Sequence, residues 1–242
     1  MPQPIVILGG FLSFAAVYRE MRTTLEALTG QPVLVAEVQA YDWLGNSSRL
    51  GWAHVLHKLD WTVRQAAQHS CTGKVALVGH STGGVLGRLY LRPEPFLGQR
   101  YRGLDRVDRL ITLGSPHYNN GGLTRGGRLS RWVEQRYPGA YYAPEVVYVS
   151  VAGRFRRGDL GGSRAERWAY RTYRDLCGDG TVWGDGLIPV VSALLQGARP
   201  VTLEGASHFP GFGKHWYGEA EVVRQWWSLT EGQPGAGAPA SR

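Results

Sequence analysis

The stretch Val75–Arg88, VALVGHSTGGVLGR, constrains this chain more than any other. An apolar run of strand character passes abruptly into a pattern of helical character, and a serine stands at the junction between two glycines. A turn that tight holds its central residue in a strained backbone conformation. Side chains on either flank would collide with neighbouring chain, so Gly79 and Gly83 fit where larger residues do not. The spacing is G-x-S-x-G, and a strand before it with a helix after it is the setting that gives the pattern meaning. A strand feeding a covering helix predicts an α/β architecture. It also predicts an exposed hydroxyl, Ser81 Oγ, at a helix N-terminus where the dipole favours developing negative charge.

The rest of the chain repeats this alternation. Apolar runs at 4–10, 32–38, 74–79, 108–114, 145–153 and 199–205 read as strands buried on both faces. Segments 15–28, 48–70 and 218–229 carry apolar residues at helical spacing; in the second these are Leu50, Ala53, Leu56, Leu59, Val63 and Ala66. Two intervals, 115–144 and 154–183, fit neither strand nor helix and exceed ordinary connections. Both follow strands, on the edge where open parallel sheets place ligands, so they are expected to form cap-like insertions. Residues 1–230 are expected to form one domain, and 231–242, EGQPGAGAPASR, a disordered tail.

The net charge of +8 invites a nucleic-acid reading, which the distribution of charge opposes. Lysine occurs only at 58, 74 and 214, and the arginines are scattered from Arg19 to Arg242 with no basic block and no nucleic-acid module. A solvated Arg-rich surface is expected, compatible with weak contact to an anionic membrane surface or an acidic substrate. Cys71 and Cys177 lack metal-site spacing and are expected as buried thiols. The opening MPQPIVILGG has no basic region before its apolar run, and no apolar run approaches the ~20 residues of a membrane span. A cytoplasmic chain is the expectation. No phosphate-loop motif is present, and GGLTRGG at 121–127 lacks the strand–helix setting of a dinucleotide fingerprint. Neither a metal nor a nucleotide cofactor is expected.

With GHSTGG (79–84), ITLGSPH (111–117), WGDGLIPVVSALLQGA (183–198) and GASHFP (205–210), the chain resembles the α/β-hydrolase superfamily in its lipase and esterase branch. It is similar to lipase-like hydrolases of bacteria and plants over most of residues 4–230. The resemblance implies a mostly parallel central sheet with helices on both faces and small caps. It implies ester cleavage through a triad in the chain order Ser, Asp or Glu, His, with Ser81 as nucleophile.

Among His117, His208 and His215, the resemblance points to His208, which follows a strand and a small-residue loop. His215 is its rival. His117 precedes every candidate acid and is expected beside the cleft. Gly-Asp-Gly occurs twice, at Asp179 and Asp185. Asp185, 23 residues before His208 (185 to 208), matches the GDG-apolar-apolar-Pro pattern in full. Asp179 remains the alternative acid, and a calcium loop has no EF-hand-like ligand series to support it.

The oxyanion hole is expected from the amides of Thr82 and Phe11, with Leu12 as second choice on the LGGFLS turn. Leu12, His117, Tyr141 and Tyr142 are the substrate-binding candidates; the aromatics of 137–144 and 167–176 either meet an acyl chain or form the cap's own small core. Hydrolysis of a small-molecule or lipid carboxylic ester is the expected function. Acyl transfer, thioester hydrolysis and non-catalytic ligand binding remain open beside it.

Overall fold

A computed structural model of the chain describes residues 3–45, 48–120 and 125–231. The expected tail, 231–242, lies outside them except for Glu231, which closes the final helix. In chain order the elements are β1 (Ile5–Leu8), α1 (Arg19–Thr29), β2 (Val33–Val35), α2 (Arg49–Ala67), β3 (Val75–His80), α3 (Thr82–Tyr90) and β4 (Val107–Leu113). There follow α4 (Arg125–Arg136), β5 (Val147–Arg154), β6 (Arg156–Arg157), α5 (Arg164–Cys177), β7 (Trp183–Gly184) and α6 (Val190–Ala193). The chain ends with β8 (Arg199–Glu204), β9 (Ala206–Ser207), β10 (His215–Trp216) and α7 (Ala220–Glu231).

The six apolar runs form one sheet in the order β2-β1-β3-β4-β5-β8, every neighbouring pair parallel. Side chains alternate across it. Val6, Leu8, Val75, Leu77 and Leu110 point into one core layer, where Trp52, Val55 and Leu59 of α2, Leu86 and Leu89 of α3 and Leu129 and Val133 of α4 cover them. Ile5, Ile7, Val78, Ile111, Val151 and Leu203 point the other way, onto Met21 and Leu25 of α1 and Val223 and Trp226 of α7. With both faces covered, β1 and β3 read as continuous apolar runs, whereas edge strand β8 departs from the expected double burial: only Val201 and Leu203 are buried and the alternate residues are exposed.

The intervals 115–144 and 154–183 depart from expectation, because each contains a helix. Leu129 and Val133 are the apolar anchors of α4, and arginines crowd its remaining faces, so helical periodicity was diluted. Its docking is fixed instead by a buried ion pair: Arg88 of α3, 2% exposed, donates to Glu134 (2.7 Å) and to the carbonyls of Tyr137 and Gly139. The start of α5 is a capping box. Ser163 Oγ accepts from the Glu166 amide, and Glu166 Oε2 accepts from the Ser163 amide. That signal was present in the sequence, but α5 buries only Ala169 and Tyr173, too narrow a stripe to stand out.

The cysteines also depart from expectation: both are free, but Cys71 is exposed in the turn after α2 and Cys177 is half-buried at the end of α5. No helix among the described residues is long and apolar enough to cross a membrane.

Trp226 carries much of the second core layer; it is fully buried, and its Nε1 donates to the Tyr217 carbonyl at 3.0 Å. Trp226→Ala should lower unfolding free energy by about 3–5 kcal/mol, and Trp226→Phe by less. Chemical denaturation of the three proteins, compared at equal m-value, measures this.

Candidate active site

At the end of β3 the chain reverses direction in one residue. Ser81 has φ 54° and ψ −127°, a conformation costing about 1–3 kcal/mol, and α3 begins at Thr82. The flanking glycines are steric requirements. A Cβ on Gly79 would lie 2.4 Å from Gly84 Cα, and one on Gly83 would lie 2.3 Å from the Leu8 carbonyl oxygen. The Ser81 amide donates to the Leu113 carbonyl (2.8 Å), which fastens the turn to β4.

Three side chains from separate loops at this sheet edge form one hydrogen-bonded chain. His208 Nε2 lies 3.0 Å from Ser81 Oγ, and His208 Nδ1 lies 2.7 Å from Asp185 Oδ2. The ionised carboxylate only accepts, so Nδ1 carries the proton; a neutral ring then leaves Nε2 bare to accept from the Ser81 hydroxyl. Asp185 is fully buried. Its Oδ1 accepts from the Leu187 and Ile188 amides (3.0 and 2.7 Å), and Oδ2 also accepts from Tyr217 Oη at 2.9 Å. Four donors thus fill the roughly four acceptor directions of a carboxylate. Burial and the neighbouring carboxylate hold the Tyr217 pKa well above the ordinary tyrosine range, so this phenol stays a donor. The Asp185 carbonyl accepts from the His208 amide (2.9 Å), locking the two loops in register.

A second chain runs beneath the first. His80 Nε2 donates to the His208 carbonyl (3.1 Å), which can only accept, and His80 Nδ1 accepts from Tyr18 Oη at 2.8 Å. Tyr18 Oη in turn accepts from the Gly10 amide (2.9 Å). Burial, then the adjacent His208 ring, push the His80 pKa well below 6.5, which agrees with one neutral tautomer. The β1 turn and the His208 loop are therefore tied to each other through the residue preceding Ser81.

The β1 turn lies directly over the serine: a Cβ on Gly10 would be 2.8 Å from Ser81 Cβ. Among the described residues, the amides of Phe11, Leu12 and Thr82 meet no acceptor. Phe11, Ser81 and Thr82 form the floor of a cleft of about 360 Å³. One wall is Pro116, Asn119 and Gly127; the other is Thr172, Asp175 and Leu176 of α5, with Leu187 and Ile188 at its end.

The remaining sequence candidates lie elsewhere. His117 is not beside the cleft: it is fully buried, accepts from Arg88 at Nδ1 (3.4 Å) and donates from Nε2 to Thr112 (3.0 Å). Tyr141 and Tyr142 do not line the cleft either; they pack on Tyr137, with ring centroids 5.5 and 5.9 Å away, as a local aromatic cluster. Leu12, at φ 61°, is half exposed beside Phe11. Asp179 closes an exposed turn on Thr181, and His215 pairs with Glu219 at 2.9 Å. Tyr18, His80, Tyr217 and Asn119 were not nominated from sequence. His80 could have been, as the neighbour of the elbow serine; the others carry no local pattern.

No protein-family model matches the chain, and no curated protein matches it. Solved structures do. Est1E from Butyrivibrio proteoclasticus aligns at 12% identity with a TM-score of 0.51, covering 96% of this chain and 89% of its own. An alpha/beta hydrolase enzyme from the sediment metagenome of the Mar Chica lagoon, Morocco, aligns at 13% and 0.51, covering 96% and 93%. A chain from Xanthomonas campestris pv. campestris, provisionally assigned to the alpha/beta hydrolase superfamily, aligns at 15% and 0.51, covering 96% and 99%. The fold is that of the α/β-hydrolases, with a parallel six-stranded sheet between helical layers.

Two buried neutral histidines give stability a pH dependence of definite sign. Burial is the main cause holding both His80 and His117 well below 6.5, with Arg88 adding to the effect on His117. Below pH 6.5 the unfolded chain takes up these two protons and the folded chain does not, so stability falls as the pH is lowered. Each residue should contribute up to about 1.4 kcal/mol per pH unit. His117→Gln, which keeps a donor and an acceptor but no titrating proton, should flatten the slope between pH 6.5 and 5 by about half in urea titrations.

Proposed function

We propose that this chain is a serine hydrolase that cleaves carboxylic esters through an acyl-enzyme, with Ser81 as nucleophile, His208 as general base and Asp185 as the acid that orients it. The observation that carries the reading is the continuous hydrogen-bonded chain from Ser81 Oγ through His208 to Asp185. It opens on a cleft whose floor offers unsatisfied amides. A binding module would have no use for a strained serine aligned on a bare imidazole nitrogen.

The steps follow from the tautomer. Ser81 Oγ attacks the ester carbonyl carbon as its proton passes to His208 Nε2, and Asp185 stabilises the imidazolium through Nδ1–H. The carbonyl oxygen becomes an oxyanion facing the amides of Phe11 and Thr82, each donor typically worth ~10²–10³ in rate. Collapse expels the alcohol, which takes the proton from Nε2. Water, deprotonated by the same nitrogen, then attacks the acyl-serine, and the carboxylic acid leaves as Ser81 regains its proton. Small-molecule or lipid esters of medium or longer acyl chain suit the mainly apolar cleft walls. A cytoplasmic setting is in keeping with two unpaired cysteines.

Incubation with a fluorophosphonate should add one adduct to the intact protein, mapping to Ser81. Ser81→Ala should abolish the adduct and lower p-nitrophenyl ester turnover by about 10⁶. A wild-type protein that takes no adduct and turns over no ester sinks the proposal.

A further inference from the structure

Tyr217 directly follows β10, and its side chain is fully buried in the second core layer. A phenylalanine would fill the same space with no hydroxyl to satisfy, so the phenol calls for an account of its own. The ends of β4 and β5 leave room for it. A Cβ on Gly114 would lie 2.8 Å from Tyr217 Cε2, and one on Gly153 would lie 2.9 Å from Oη. Oη accepts from the Gly153 amide at 2.7 Å, which aims its one proton at Asp185 Oδ2, 2.9 Å away. That same oxygen receives His208 Nδ1–H, whereas Oδ1 is held by the Leu187 and Ile188 amides. A donor on an ionised oxygen orients the group and also takes up part of its charge.

We propose that Tyr217 is a positioning residue of the triad: by donating to the oxygen that faces His208, it holds the Asp185 carboxylate in line with the ring and shares its negative charge. This deepens, and rests on, the ester-hydrolase reading of the same site. Without the phenol, Oδ2 keeps its full charge for the ring and holds the imidazolium more tightly. The enzyme then enters its inactive, protonated form at higher pH. A phenol that only filled space would leave that pH where it was. The titratable groups packed on Asp185 and His208 are His80 at the end of β3, Tyr173 on α5 and Tyr217 itself. Burial pushes His80 well below the ordinary histidine range and both phenols above the ordinary tyrosine range. None of the three therefore supplies the acid limb of activity, which belongs to His208.

The test follows kcat/KM for a p-nitrophenyl ester against pH in the wild type and in Tyr217→Phe. The plateau should fall about two- to tenfold, and the acid limb should move up by about 0.5 to 1 pH unit. A limb that stays in place or moves down overturns the proposal. Should Tyr217→Phe not fold, 3-fluorotyrosine inserted at position 217 is a stronger donor of nearly the same shape. It should move the limb down, and an unmoved or raised limb overturns the proposal. In a Ser81→Ala background, NMR titration of the His208 ring, assigned by its absence in His208→Gln, reads the same effect without turnover. Adding Tyr217→Phe should raise the midpoint of that titration. A raised midpoint in a protein whose wild type takes no fluorophosphonate removes the hydrolase reading alone. Labelling of the wild type with an unmoved midpoint removes the role of Tyr217 alone.

Discussion

The close approach of three strands at one turn governs this structure. Ser81 holds a backbone conformation that a free chain would leave, and it is kept there because neighbours occupy every way out. The Leu8 carbonyl on β1 presses on Gly83, the Leu113 carbonyl on β4 takes the Ser81 amide, and Gly84 lies against Gly79 across the turn itself. Strain of this kind persists only when the surroundings over-determine it. Here the surroundings are the three central strands of the sheet, the part buried most completely on both faces.

Polar order is built outward from that turn. Buried acceptors and donors cost free energy unless matched, and around Asp185 and His80 they are matched to the last direction. The carboxylate has four donors, and His80 is left with a single tautomer by a carbonyl on one side and a phenol on the other. The β1 turn, the end of β3 and the His208 loop are consequently held by directional bonds in addition to the aromatic packing of Tyr18, Phe209 and Trp216 around His80.

The sheet was legible in the sequence because its inner strands, buried on two faces, announce themselves as apolar runs; β8, at the sheet edge, buries only Val201 and Leu203 and is legible from that alternation. Ser81, Asp185 and His208 were nominated from short motifs and from their order in the chain; the structure brings them within hydrogen-bond distance of one another. What escaped was long-range or diluted. Tyr217 reaches Asp185 from 32 residues away, and Tyr18 reaches His80 from 62, contacts that no local pattern encodes. Helices α4 and α5 were hidden by arginines on their solvent sides. His117 and the Tyr141–Tyr142 pair were assigned to the cleft from position in the chain. Arg88 claims the histidine for the interior, and Tyr137 gathers the tyrosines into a cluster of their own.

The two walls of the cleft are mounted differently. On one side Arg88 fastens α4 to α3, the same helix whose first turn receives the serine. On the other, α5 reaches the rest of the fold through a few contacts, among them Tyr173 Oη to the Arg156 carbonyl and to the Gly186 amide. One side of the cleft is thus fastened to the serine's own helix, and the other is fastened only beyond it. Reshaping α5 in this chain would therefore change the gauge of the cleft while the side fastened by Arg88 and its serine stay in alignment.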